Sequence, residues 1–188
     1  MTGKLNLIVG PMFSGKSTLL LTRYRRYQIA GKQCLLIKYA KDNRYESSDE
    51  MLITHDQLKY RATSCTQLKE VHNMVLGYDV ICIDEIQFFD DASKYCDLWA
   101  NAGKIVEVCG LNGDYKRQPF DQISQLIPLC DDISHVCAVC KYTGEDAPFS
   151  KRLTQETEQE VIGSSDKYIA VSRTMYHFGN IKSLEEDC

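Results

Sequence analysis

The stretch Leu5-Asn-Leu-Ile-Val-Gly10-Pro-Met-Phe-Ser-Gly15-Lys16-Ser17-Thr18 decides how the rest of the chain is read. Residues 5–9 form a short, continuous apolar run, the mark of a buried strand. Gly10 to Ser17 then matches G-x-x-x-x-G-K-[ST], and 17–30 reads as a helix stopped by Gly31. Glycines let such a loop wrap closely around phosphates, its backbone N–H groups point inward, and the helix start adds a positive dipole end. Lys16 is placed to neutralise β- and γ-phosphate charge, and the Ser17 hydroxyl to help hold Mg²⁺. Gly10, Pro11, Met12, Phe13, Ser14, Gly15, Lys16, Ser17 and Thr18 together read as a nucleotide phosphate site.

Working outward, 34–39, 80–83 and 105–111 read as three more buried strands. Their continuous rather than alternating apolar character fits a parallel sheet covered on both faces. The helical stretches between them are 66–76 and 91–102. Strand alternating with helix predicts a doubly wound α/β domain over 1–131. Past 131 the character changes, and 132–188 reads as a small, loop-rich second domain. Within it 141–148 reads as an exposed loop, and 156–161 is expected to pair with 167–171 around Gly163-Ser-Ser-Asp166.

Composition sets limits. The 188 residues include 22 basic and 26 acidic side chains, a net charge of −4, with 44% apolar and 26% charged residues, which suits a globular domain. No apolar run approaches the ~20 residues that span a bilayer, so no membrane partner is expected. The N-terminal run is too short for a secretory signal and lacks a small-residue cleavage site, which predicts a cytosolic protein. Most of the nine cysteines, Cys34, Cys82 and Cys109 among them, sit in apolar runs and read as small buried hydrophobes of a reducing compartment. The acidic balance and the lack of interleaved basic and aromatic residues argue against a nucleic-acid partner. Arg23-Tyr-Arg-Arg26 reads as a solvated or subunit-facing surface.

Three further groups carry chemistry. Val80-Ile-Cys-Ile-Asp84-Glu85 ends an apolar strand in two carboxylates, so one can serve the metal shell while the other faces a substrate proton. Gln87-Phe88-Phe89 follows directly, with aromatics able to stack on a planar base and an amide able to hydrogen-bond near it. Asp42-Asn-Arg44-Tyr45 lies past the second strand, at the carboxyl end of the sheet where ligands collect.

Gly10-Pro-Met-Phe-Ser-Gly-Lys-Ser-Thr18, Ile37-Lys-Tyr-Ala-Lys-Asp-Asn-Arg-Tyr45, Thr54-His-Asp56, Ile83-Asp-Glu-Ile-Gln-Phe-Phe89, Ala100-Asn-Ala-Gly-Lys104, Lys151-Arg152 and Asp166-Lys-Tyr168 resemble the cytosolic type II thymidine kinases, in family order. The resemblance implies an α/β P-loop domain, a smaller domain whose lasso covers the nucleoside, and a homotetramer. It also implies transfer of the ATP γ-phosphoryl to the 5′-hydroxyl of thymidine in nucleoside salvage. By matching position, Glu85 resembles the catalytic base, Asp84 and Ser17 the Mg²⁺ network, and Asp42 and Arg44 the polar pair at the phosphate end. Lys16 and Arg44 then neutralise charge, and Gln87 stands with the nucleotide residues. Met12, Phe88, Leu111, Tyr115, Phe120, Ser150, Gln159, Val161, Gly163 and Tyr168 fall where the family holds the nucleoside.

The chain departs from that pattern in two places. The family often holds its small domain with zinc on two cysteine pairs; Cys137 and Cys140 fit the first, but the second falls on Ser172 and Met175. Two thiolates do not make a four-coordinate site. His135, His177 or Cys188 could substitute, and a metal-free remnant is the favoured alternative. The lasso between Cys140 and Lys151 is longer than usual, Gln159 replaces an apolar residue, and Tyr115 and Ser150 vary Phe and Thr. Such changes would broaden base choice toward a purine such as deoxyguanosine. A regulatory P-loop NTPase is the remaining competitor, but the chain has no Asn-Lys-x-Asp guanine-reading element.

Overall fold

A computed structural model of the chain describes residues 3–40, 51–53, 59–154 and 167–178. In chain order the elements are β1 (Lys4–Gly10), α1 (Lys16–Ile29), β2 (Cys34–Tyr39), β3 (Met51–Ile53), β4 (Lys59–Arg61), β5 (Thr63–Cys65), α2 (His72–Val75), β6 (Val80–Ile83), α3 (Ala92–Asn101), β7 (Ile105–Leu111), α4 (Asp121–Leu126), β8 (Asp132–His135), β9 (Ala138–Val139), β10 (Asp146–Ala147), β11 (Phe149–Arg152), β12 (Tyr168–Val171) and α5 (Arg173–His177). Six strands form one parallel sheet in the order β5-β2-β6-β7-β1-β8. None of the described helices is long and apolar enough to cross a membrane.

The sheet is covered on both faces, as its continuous apolar strands require. Successive side chains point to opposite sides. Ile8, Leu36, Val80 and Cys82 therefore meet Leu20, Leu21 and Tyr24 of α1 on one face. Leu7, Val9, Ile81, Ile83 and Val106 meet Trp99 and Cys96 of α3, together with Ile123 and Leu126 of α4, on the other. The Trp99 indole is fully packed and donates its N–H to His72 Nδ1 at 2.9 Å.

Two local readings change. The stretch 66–76 is a 3₁₀ turn over Leu68–Val71 running into the single turn of α2, because a Gln67–Glu70 capping box tightens its start. Arg23 is not a solvated surface residue. It pairs with the fully buried Glu107 at 2.8 Å and donates to Ser134 Oγ at 2.8 Å, and Asn6 and Tyr27 complete the shell of Glu107 at 2.8 and 2.9 Å. A carboxylate at that depth is tolerable only with such partners. Finally, β12 pairs antiparallel with β11; the expected partner, 156–161, lies outside the described residues.

Just past the expected division at 131, β8 joins the main sheet alongside β1. Beyond it, the β9–β10 and β11–β12 ladders and α5 share their own small core: Ala138, Cys140, Ala147, Ala170, Val171 and Met175. Phe13 from the loop after β1 packs into that core, which joins the two parts where the site lies.

Candidate active site

Three strand ends supply the site. β1 hands over at Gly10 to a loop that closes at Gly15, whose φ of 77° is left-handed and favours a residue without a Cβ. The loop delivers Lys16 and Ser17 to the first turn of α1. β6 ends at Ile83 and leaves Asp84 and Glu85 just past its carboxyl end. β7 lies between these two strands and contributes Cys109, Gly110 and Leu111.

The Asp84 carboxylate spans the gap. Ser17 Oγ donates to Asp84 Oδ1 and Oδ2 at 2.9 and 3.0 Å, joining two motifs 67 residues apart. Asp84 Oδ1 also accepts from the Glu85 backbone N–H at 3.1 Å and from the Cys109 thiol at 2.8 Å. Burial first, and then the Asp84 charge, pushes that thiol well above its usual range, so it remains a donor. A hydroxyl and a carboxylate side by side suit a hard, oxygen-seeking cation such as Mg²⁺. Lys16 lies along the inside of the loop, buried, with Nζ 2.7 Å from the Pro11 carbonyl.

Glu85 is buried, and its backbone is left-handed at φ 54°. A residue with a side chain holds that conformation only where its surroundings impose it. Its Oε2 accepts from Gln87 Nε2 at 2.6 Å, and Gln87 Oε1 accepts from the Leu111 N–H at 3.1 Å. The expectation that Gln87 serves the nucleotide thus meets a carboxamide with each end turned to a protein group.

Next to Glu85 stands an aromatic wall. Phe88 is half-buried and meets Phe120 edge-on, with ring centroids 6.3 Å apart, and Tyr39 at 5.4 Å. Phe89 is in the core and meets the same Tyr39 edge-on, with centroids 5.3 Å apart. On β11, the Arg152 guanidinium lies 3.8 Å over the Tyr115 ring and donates to the Tyr168 hydroxyl at 2.6 Å. The Ser150 hydroxyl accepts from the Met12 N–H at 2.9 Å, tying the phosphate loop to β11.

The family model described as Thymidine kinase matches residues 3–176. The chain belongs to the thymidine kinase family. Its fold is that family's α/β arrangement, and membership makes it an ATP-dependent nucleoside kinase. The thymidine kinases of Vaccinia virus (strain Western Reserve) and Monkeypox virus are each 48% identical to it over 174 residues, 93% of this chain and 97% of theirs. That of Myxoma virus (strain Lausanne) is 46% identical over 176 residues, 94% of this chain and 97% of its own.

Most of the residues that the thymidine kinase resemblance selects do converge. Met12, Lys16, Ser17, Asp84, Glu85, Phe88, Leu111, Phe120, Ser150 and Tyr168 all gather around these strand ends. Asp42, Arg44, Gln159, Val161 and Gly163 lie outside the described residues. Arg152 and Tyr39, absent from the expected set, pack on Tyr115 and Phe88, which belong to it. Arg152 was legible in principle: two positions after Ser150 on a strand, it must share that residue's face.

Of the two pairs expected to hold zinc, only Cys137 and Cys140 are cysteines, and Ser172 and Met175 stand at the second. Cys137 Sγ has His135 Nδ1 3.9 Å away, but no group of three or more His, Cys, Asp or Glu suited to a metal occurs among the described residues. Ser172 caps α5, accepting from the Met175 N–H at 3.5 Å, and Met175 is buried against Cys140 in the small core. Burial works to raise the Cys140 thiol, but the Thr143 hydroxyl and the N–H groups of Ser172, Thr143 and Tyr142 outweigh it and bring it down to about 7. A structural zinc needs four good ligands. The described residues do not fit it.

Proposed function

We propose that this chain transfers the γ-phosphoryl group of ATP to the 5′-hydroxyl of thymidine, with Glu85 as the base. The observation that carries the reading is the single shell in which Ser17, Asp84 and Glu85 meet. Phosphoryl transfer runs through a loose transition state, so positioning and charge neutralisation dominate. The backbone of residues 10–17 cradles the phosphates and Lys16 neutralises them. Ser17 and Asp84 would hold Mg²⁺, which supplies further charge neutralisation on the phosphate oxygens when bound. Glu85 accepts the proton of the 5′-hydroxyl as that oxygen bonds to the γ-phosphorus. The bond to the β,γ-bridging oxygen breaks, and ADP leaves with the electron pair.

Met12, Phe88, Leu111, Tyr115, Phe120, Ser150 and Tyr168 form the nucleoside pocket in this reading, with Gln159, Val161 and Gly163 from the lasso. Asp42 and Arg44 join at the phosphate end. Their support is the family resemblance. A homotetramer follows from the same resemblance, and exposed Ile29, Leu98 and Ile133 offer apolar surface for subunit contacts. The eight described cysteines are all free, which suits a reducing, cytosolic compartment. The test is phosphorylation with ATP·Mg²⁺ across the four deoxynucleosides. ADP release is expected to require an added nucleoside, with thymidine ranking first. ADP release at the same rate without nucleoside would overturn the proposal in favour of a switch NTPase.

We also propose that the carboxyl-terminal part, the segment after β8, folds as a nucleoside-covering domain without metal. The Met175-centred apolar core does the work that zinc does elsewhere. Metal analysis of protein purified without chelator is expected to give well under one zinc per chain, with no change in Tm on adding chelator. Stoichiometric zinc would refute this.

A further inference from the structure

We infer that Gln87 is a positioning residue for the reaction: its carboxamide locks the Glu85 carboxylate to the backbone at Leu111, so that base and nucleoside wall are held as one rigid piece. The inference rests on the reading of Glu85 as the base.

The hydrogen bonds allow only one orientation of this amide. The Leu111 backbone N–H can only donate, and it lies 3.1 Å from Gln87 Oε1. The other end is therefore the NH₂ group, and it donates to Glu85 Oε2 at 2.6 Å. Gln87 is 7% exposed, so water competes little for either bond. A donor facing a carboxylate makes a bond roughly twice as strong as a neutral one. β7 is shaped to admit this bridge. A Cβ on Gly110 would stand 2.6 Å from Gln87 Oε1 and 2.9 Å from Ile86 Cγ2, so any larger residue would push the carboxamide out of place. The left-handed backbone of Glu85 adds a reason for the bridge, because a base carried on a strained turn needs an outside hold. Misplacing a reacting group by about 1 Å costs on the order of 100-fold in rate.

Two variants separate positioning from mere packing. Gln87→Glu keeps the size and keeps an acceptor for the Leu111 N–H, but sets a second carboxylate against Glu85. Like charges repel, so the Glu85 carboxylate is pushed from its place. Turnover is expected to fall about 100-fold with KM for ATP unchanged. Gln87→Met removes both bonds, and is expected to lose about 10–100-fold in kcat, again with KM for ATP unchanged.

Wild-type kcat in Gln87→Met or in Gln87→Glu, or a loss that falls on KM for ATP rather than on kcat, overturns the inference. If Gln87→Met does not fold, Gln87→Glu decides. Failure of both to fold, judged from their Tm, would make the bridge structural and also overturn it. The wild-type assay is read first: absence of thymidine phosphorylation there refutes the proposed function itself, whereas an active wild type with unaffected variants refutes only the role of Gln87.

Discussion

Glu85→Gln is expected to bind thymidine and ATP·Mg²⁺ as the wild type does and to lose at least roughly 100-fold in turnover, the usual contribution of a positioned general base. The substitution is nearly isosteric. An amide oxygen can still accept from Gln87 Nε2, whose bond to Glu85 is 2.6 Å long, so the local frame stays in place. What disappears is a group that takes a proton from the sugar hydroxyl as the new P–O bond forms. Ser17, Asp84 and Lys16 are untouched, and ground-state affinity is therefore retained. Steady-state turnover alongside calorimetric titration of each substrate checks both halves. Turnover equal to wild type would remove Glu85 from the mechanism.

Lys16→Met should cost about 10³-fold in turnover, the loss seen when a preorganised charge-stabilising group is removed. The ammonium is buried inside the phosphate loop, where its field is less screened than in water. Methionine keeps the apolar stem while deleting the charge. KM for ATP should rise as well, because the lysine meets phosphate charge before as well as during transfer. The packing of α1 through Leu20, Leu21 and Tyr24 is unaffected, so Tm should hold. An active Lys16→Met enzyme with unchanged KM would show that the loop backbone alone neutralises the phosphates.

The four main strands and the phosphate loop were legible because their signals are local. A continuous β-branched run has few alternatives to a buried parallel strand, and G-x-x-x-x-G-K-[ST] demands one backbone shape. β8 escaped because Asp132-Ile-Ser-His135 is polar and mostly exposed at the edge of the sheet, so nothing in its composition separates it from a loop. Arg23 was misread for a related reason. Its partner Glu107 lies 84 positions away inside an apolar run, and only the crossing of α1 over β7 joins them. Within the site, the chemistry proposed for Ser17, Asp84 and Glu85 follows from their residue types. The use of Gln87 and Arg152 as supports did not show, because both depend on which strand end comes to rest against which. The second cysteine pair illustrates the converse: its loss to Ser172 and Met175 was plain in the sequence, while the cap and the packing that take its place needed the fold.

The backbone N–H of Glu85 touches the same Asp84 oxygen that serves Ser17. In the proposed reaction the 5′-hydroxyl oxygen attacks the γ-phosphorus directly, so the phosphoryl group passes from donor to acceptor in one displacement. One displacement is an odd number. With a γ-phosphorus made chiral by isotopic oxygen, the product would emerge with its handedness reversed.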